Sequence, residues 1–158
     1  MTSRRIALAL PALALALATI PAAAQQPKTQ AAAATPALSG DLAKIQGTWK
    51  AQFGPDKQVL TMVVQGTKST IKVPAADGGD MLMVAEVKLD EAASPRKWDS
   101  VKRKIDGADF PDGEAIYKLD GDRLTICGGG PGLPRPVDFQ ASDDGQVTLV
   151  VFTRVKAK

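Results

Sequence analysis

From residue 47 onward, apolar and polar positions alternate with a period of two, the repeat of strands that bury one face. Trp49, Ala51 and Phe53 fall on one side of the first run, with Thr48, Lys50 and Gln52 on the other. Residues 59–64 and 69–73 follow, joined by Gly66-Thr67 and rich in β-branched side chains. In residues 81–89, Met81, Met83, Ala85, Val87 and Leu89 are set against Glu86 and Lys88. Residues 98–105 include Lys102, Arg103 and Lys104, a polar and basic run that predicts a solvated or edge strand. Residues 115–119 and 124–127 form the clearest hairpin, joined around Asp120-Gly121-Asp122. Residues 146–155 supply the last strand. Gly54-Pro55-Asp56, residues 74–80, 91–97 and 106–113, and the irregular run 128–136 read as turns and loops.

Ahead of these strands, Ser39-Gly40-Asp41 precedes Leu42 and Ile45, which lie three apart, and Gly47 closes the run. An acceptor side chain before and a glycine after predict one short helical turn, placed to plug the end of a barrel. About eight strands, with connections too short for crossover helices, predict an all-β antiparallel fold, either an up-and-down barrel or a sandwich. In a barrel with an even strand count the last strand returns beside the first. Arg154 would then cover the indole of Trp49. The facing of that last strand stays open. If Arg154, Phe152 and Val150 point inward, then Val147, Leu149 and Val151 form an outer apolar stripe needing cover from the N-terminal segment or a partner. The opposite register buries the stripe and exposes Arg154.

Residues 1–24 read as an export signal: Arg4-Arg5, an Ala/Leu-rich run through Ile20, and small residues ending at Ala24. The run is too short and Ala-rich for a good membrane span, so the mature chain is expected to be periplasmic or extracellular without one. Residues 25–39 are a low-complexity Ala/Pro/Gln tether, and residues 40–158 form the domain. Without Arg4 and Arg5, 18 basic residues face 17 acidic ones, a formal charge of +1. Together with an aromatic content of only 4%, this near balance offers no footprint for nucleic acid. The chain has no histidine, which removes Ser-His-Asp and Cys-His catalysis and ordinary zinc sites. No catalytic residue, metal ligand or cofactor is assigned. Cys127 is the one cysteine, so no disulfide can form within the chain; its thiol is either packed and unreactive or, if exposed, able to link two chains.

The run Ile45-Gln46-Gly47-Thr48-Trp49-Lys50 resembles the start of a lipocalin-like domain of unknown function found in planctomycete proteins. The run from Ile116 to Cys127, Arg135-Pro136 with Phe139, and the closing Arg154 carry the same likeness, over about residues 41 to 155. The resemblance implies an up-and-down antiparallel lipocalin-like barrel of about eight strands with a short N-terminal helical turn, and no activity. Residues 74–105 depart from the pattern.

Met62, Met81, Met83 and Tyr117 are the candidate lining of the barrel interior, although methionine equally fills gaps in a solid core. Gly47, Trp49, Arg135 and Arg154 are the structural candidates, Arg135 through an ion pair or carbonyl contacts fixed by its flanking prolines. Asp106, Asp109 and Asp112 read as solvated loop acids, since calcium needs six or more oxygens. Gly128-Gly129-Gly130 lacks the following helix of a phosphate loop and reads as a flexible connection or bulge. Two functions remain. One is an exported, non-enzymatic domain holding a small apolar or amphipathic ligand. The other is a filled barrel serving as a structural or inhibitor-like interaction module of the cell envelope.

Overall fold

A computed structural model describes residues 38–54, 56–75 and 78–156 of the chain. The expected export signal, and the tether as far as residue 37, lie outside these residues. One helical turn and nine strands follow in order: α1 (Gly40–Lys44), β1 (Gly47–Phe53), β2 (Gln58–Gln65), β3 (Lys68–Pro74), β4 (Asp80–Asp90), β5 (Arg96–Ile105), β6 (Ala108–Asp109), β7 (Gly113–Asp120), β8 (Arg123–Gly129) and β9 (Val147–Arg154). Each wall strand is antiparallel to its neighbours, and β9 returns to β1, so eight strands close into an up-and-down barrel. The two-residue β6 is an appendage on β5.

Side chains alternate between the interior and the outside, as the period of two requires. Trp49, Ala51, Leu60, Met62, Val64, Val87, Trp98, Tyr117, Leu124 and Phe152 belong to the buried core. Hairpin turns, α1 and the loop 91–95 cover one end of the barrel; the longer loops 106–112 and 130–146 lie at the other.

Strand β5 corrects the edge expectation. It pairs with β4 on one side and β7 on the other, and Trp98 within it is buried. Its pattern looked solvated because it contains a bulge. Lys102 and Arg103 together stand opposite the single Ala85, and Lys102 has φ 51°. The extra residue shifts the parity: Trp98, Ser100 and Arg103 face inward. Lys102 turns outward to Glu86 at 2.8 Å and Lys104 to Asp109 at 2.6 Å. Residues 106–113 are likewise more than a loop. Asp106 and Gly107, at φ 48° and 86°, make a two-residue hairpin turn that pairs Ile105 with Ala108.

The inward register of the last strand is the one present. Thr148, Val150 and Phe152 line the interior, and Arg154 lies over Trp49. The chain's own 130–146 connection covers part of the resulting outer apolar face. Ile116 and Cys127 point outward yet are fully buried, and the Cys127 thiol sits 3.5 Å from the Gln140 carbonyl oxygen.

Closure is narrow. Strand β1 pairs with β2 along all seven of its residues, but with β9 only through Trp49–Arg154 and Lys50–Thr153. One more bond, from Val155 N–H to the Thr48 carbonyl at 2.8 Å, lies beyond them. On the outside, Lys50, Gln52, Val59, Val151 and Thr153 line a shallow cleft along this seam.

Candidate ligand-binding site

The barrel is packed at one end and hollow at the other. The packed end begins with α1, whose five residues leave its last carbonyls without intrahelical donors. Three side chains supply them. Gln46 Nε2 donates to the Leu42 carbonyl at 2.7 Å, and Trp49 Nε1 to that of Ile45 at 2.8 Å. Arg154 donates to the Lys44 carbonyl through Nη2, and to that of Gln46 through Nη1 at 2.7 Å. Its Nε meets Asp122 at 3.1 Å. Gly47, at φ 110°, lets the chain turn from helix to strand beneath this guanidinium.

The other end of α1 is anchored by a carboxylate that sequence reasoning missed. Ser39, expected to cap the helix, makes no side-chain cap; Glu91 Oε1 instead accepts from the Asp41 N–H at 2.7 Å. The Asp41 side chain is only 3% exposed. It accepts from Arg96 Nη1 at 2.6 Å, Lys44 Nζ at 2.9 Å and the Tyr117 hydroxyl at 3.0 Å. Burial alone would raise its pKa. The hydrogen bonds from Lys44 and Tyr117 and the charge of Arg96 outweigh that and hold it below the usual carboxylate value. Burial, then the bond to Asp41, push the Tyr117 hydroxyl well above the ordinary tyrosine value.

Tyr117 is therefore placed away from the cavity, contrary to its assignment to the lining. It belongs to the packed half, its ring 6.0 Å from that of Trp98 in an edge-to-face contact. Met62, Met81 and Met83 do line a common space, with Leu60, Ile71 and Phe152. That space is a cavity of about 340 Å³ in the opposite half of the barrel, with Trp98 among its walls.

The polar lining is sparse. Ser100 Oγ accepts from Trp98 Nε1 at 3.0 Å, and Thr148 Oγ1 lies 3.4 Å from the Gly128 carbonyl oxygen. Glu114 lies 3.3 Å from Arg135 Nη2. The cation of the lining is Arg103, which the bulge turns inward. Its Nη1 donates to the Pro111 carbonyl at 3.2 Å, and its guanidinium lies 4.9 Å from the centre of the Phe110 ring. Its other edge has little to hold: Nη2 meets only the Met83 sulfur at 3.5 Å, and Nε is buried with no partner. Desolvation draws the Arg103 pKa below the usual arginine value, partly offset by the charge of Asp112. Gly113 leaves room for this side chain, because a Cβ there would stand 2.6 Å from Nη1.

The other candidates sit outside the cavity or at its wall. Arg135 straps the 130–146 connection to the barrel, through the Ala115 carbonyl at 2.5 Å and Asp99 at 2.6 Å. Asp106, Asp109 and Asp112 act separately: Asp106 accepts from Leu82 N–H and Asp112 from Lys102 N–H, each at 2.8 Å, and Asp109 pairs with Lys104. Among the described residues no cluster of three or more His, Cys, Asp or Glu could hold a metal. Cys127 is buried in the outer layer, and burial, then the charge of Asp138, push its thiol pKa up. Comparison with family models, curated proteins and solved structures gives no match.

Proposed function

We propose that this chain is a non-enzymatic binding domain whose barrel takes one small amphipathic ligand, and that it works outside the cytoplasm behind an export signal. The observation that carries the reading is the half-hollow interior. A cavity of about 340 Å³ walled by Met, Leu, Ile and Phe falls within the range of small-molecule pockets. It weighs against the alternative of a filled barrel. The resemblance to planctomycete lipocalin-like domains agrees with a barrel and adds no activity. The non-enzymatic part rests on the lining itself: its carboxylate, Glu114, is held by Arg135, and no histidine exists in the chain to exchange a proton near neutrality.

At about 30 Å³ per heavy atom, the cavity has room for roughly ten to twelve non-hydrogen atoms. Decan-1-ol is a fitting probe. Calorimetric titration should give saturable one-to-one binding that is lost in Ile71→Trp, which fills the space. Decanol binding that survives this variant, or no saturable binding to the wild type, would refute the reading.

A further inference from the structure

We infer that the ligand's polar end is an anion, a carboxylate on an apolar tail, and that Arg103 receives it. The inference rests on the binding function proposed above and narrows it to a ligand class. A guanidinium offers two edges. Here the Nη1 side is occupied by the Pro111 carbonyl and the face by Phe110, so position and orientation are already fixed. The Nε–Nη2 edge can bind a carboxylate with two parallel hydrogen bonds. On this edge Nε has no acceptor and Nη2 has only the Met83 sulfur, a weak one.

An arginine left in this state is unusual, because a buried donor without an acceptor is destabilising and natural interiors rarely keep one. Among the described residues no carboxylate stands within ion-pair distance of Arg103. The nearby acids are engaged elsewhere: Asp112 Oδ1 accepts from the Lys102 N–H, and Glu114 pairs with Arg135. The three features that bring Arg103 here, the bulge at Lys102, the bare Gly113 and the ring of Phe110, are independent of one another in the sequence. Met83 and Trp98 line the same cavity, so a tail attached to a carboxylate at this edge would run along them.

The test compares decanoate with decan-1-ol, a neutral probe of the same length, on the full domain and on Arg103→Met. The wild type should bind decanoate about tenfold to a hundredfold tighter than decanol, the gain of a charge-assisted pair. Arg103→Met should lose that preference and bind the two probes alike, and its urea unfolding curve shows that the variant is folded. Arg103→Lys, with a point charge and no fork, should recover only part of it. A decanoate preference that persists in Arg103→Met would overturn the assignment of Arg103. If the wild type binds decanol as tightly as decanoate, the anionic class is wrong while the binding function stands. If neither probe binds the wild type, the binding function itself has failed.

Discussion

The guanidinium of Arg154 lies 4.1 Å from the centre of the Trp49 ring, joining the last residue of β9 to the first strand. The same guanidinium donates to the Lys44 and Gln46 carbonyls, so one side chain fixes the helical turn, the first strand and the last. Trp49→Ala should destabilise the domain by about 3–5 kcal/mol, as large aromatic truncations in cores do. Arg154→Met should cost about 1–3 kcal/mol through the carbonyls it leaves unsatisfied. Because both changes loosen the same corner, a double-mutant cycle from urea unfolding should show coupling of about 1 kcal/mol or more. Strict additivity would mean that the two residues act independently.

Asp41 predicts a pH dependence with a definite sign. Its folded pKa lies below the ordinary carboxylate value. The stability it contributes is therefore complete above about pH 4, where the unfolded chain has also ionised, and is lost as the pH falls through the lowered folded value. Asp41→Asn should be less stable than the wild type by about 1–3 kcal/mol at pH 7. Thermal melts from pH 7 to pH 2 should show that difference narrowing at the acid end. A difference that stays constant would assign Asp41 a role of shape alone.

Arg103 should be dispensable for folding. Its Nε is buried without a partner, and replacing an incompletely satisfied, partly buried charge by an apolar side chain is often neutral or stabilising. Arg103→Met should therefore be as stable as the wild type, or more stable by about 1 kcal/mol. A loss beyond about 1 kcal/mol would show that the guanidinium mainly holds the 106–112 loop.

Cys127 should behave as a packing residue. It is fully buried and its thiol pKa is raised, so the nucleophilic thiolate is scarce at neutral pH. Alkylation by iodoacetamide at pH 8 should be at least about a hundredfold slower in the folded domain than in urea, with no covalent dimer under oxidation. Fast labelling of the native domain would show that the 130–146 cover lifts from this face.

Period-two alternation made the barrel legible, and strand order brought Arg154 beside Trp49, but the facing of the last strand, on which their contact depends, stayed open in the sequence. What stayed hidden depended on single residues that break a rule. The bulge at Lys102 reverses the facing of Arg103, and a strict alternation reading assigns a three-cation run to solvent. Asp106-Gly107 did carry a hairpin signal, but the two-residue β6 behind it is too short to register as a run. Tyr117 shows the converse error: the alternation placed it inside correctly, yet could not say at what height in the barrel, and Asp41 holds it in the packed half. Asp41 itself looked like an ordinary helix-start residue. Its burial depends on Arg96, 55 positions away, and no local pattern reports such a contact.

The short β1–β9 ladder has a dynamic consequence. Strands joined by two residue pairs separate at lower free energy than those zipped over their full length. The wall therefore breathes first along this line, on the side toward Phe53, where pairing has already stopped. Amide exchange should be faster in β1 and β9 beyond Lys50 and Thr153 than in β2, β7 or β8. Such lateral breathing would widen the hollow half while Arg154, at the far end of the same line, keeps the staves of the barrel hooped together.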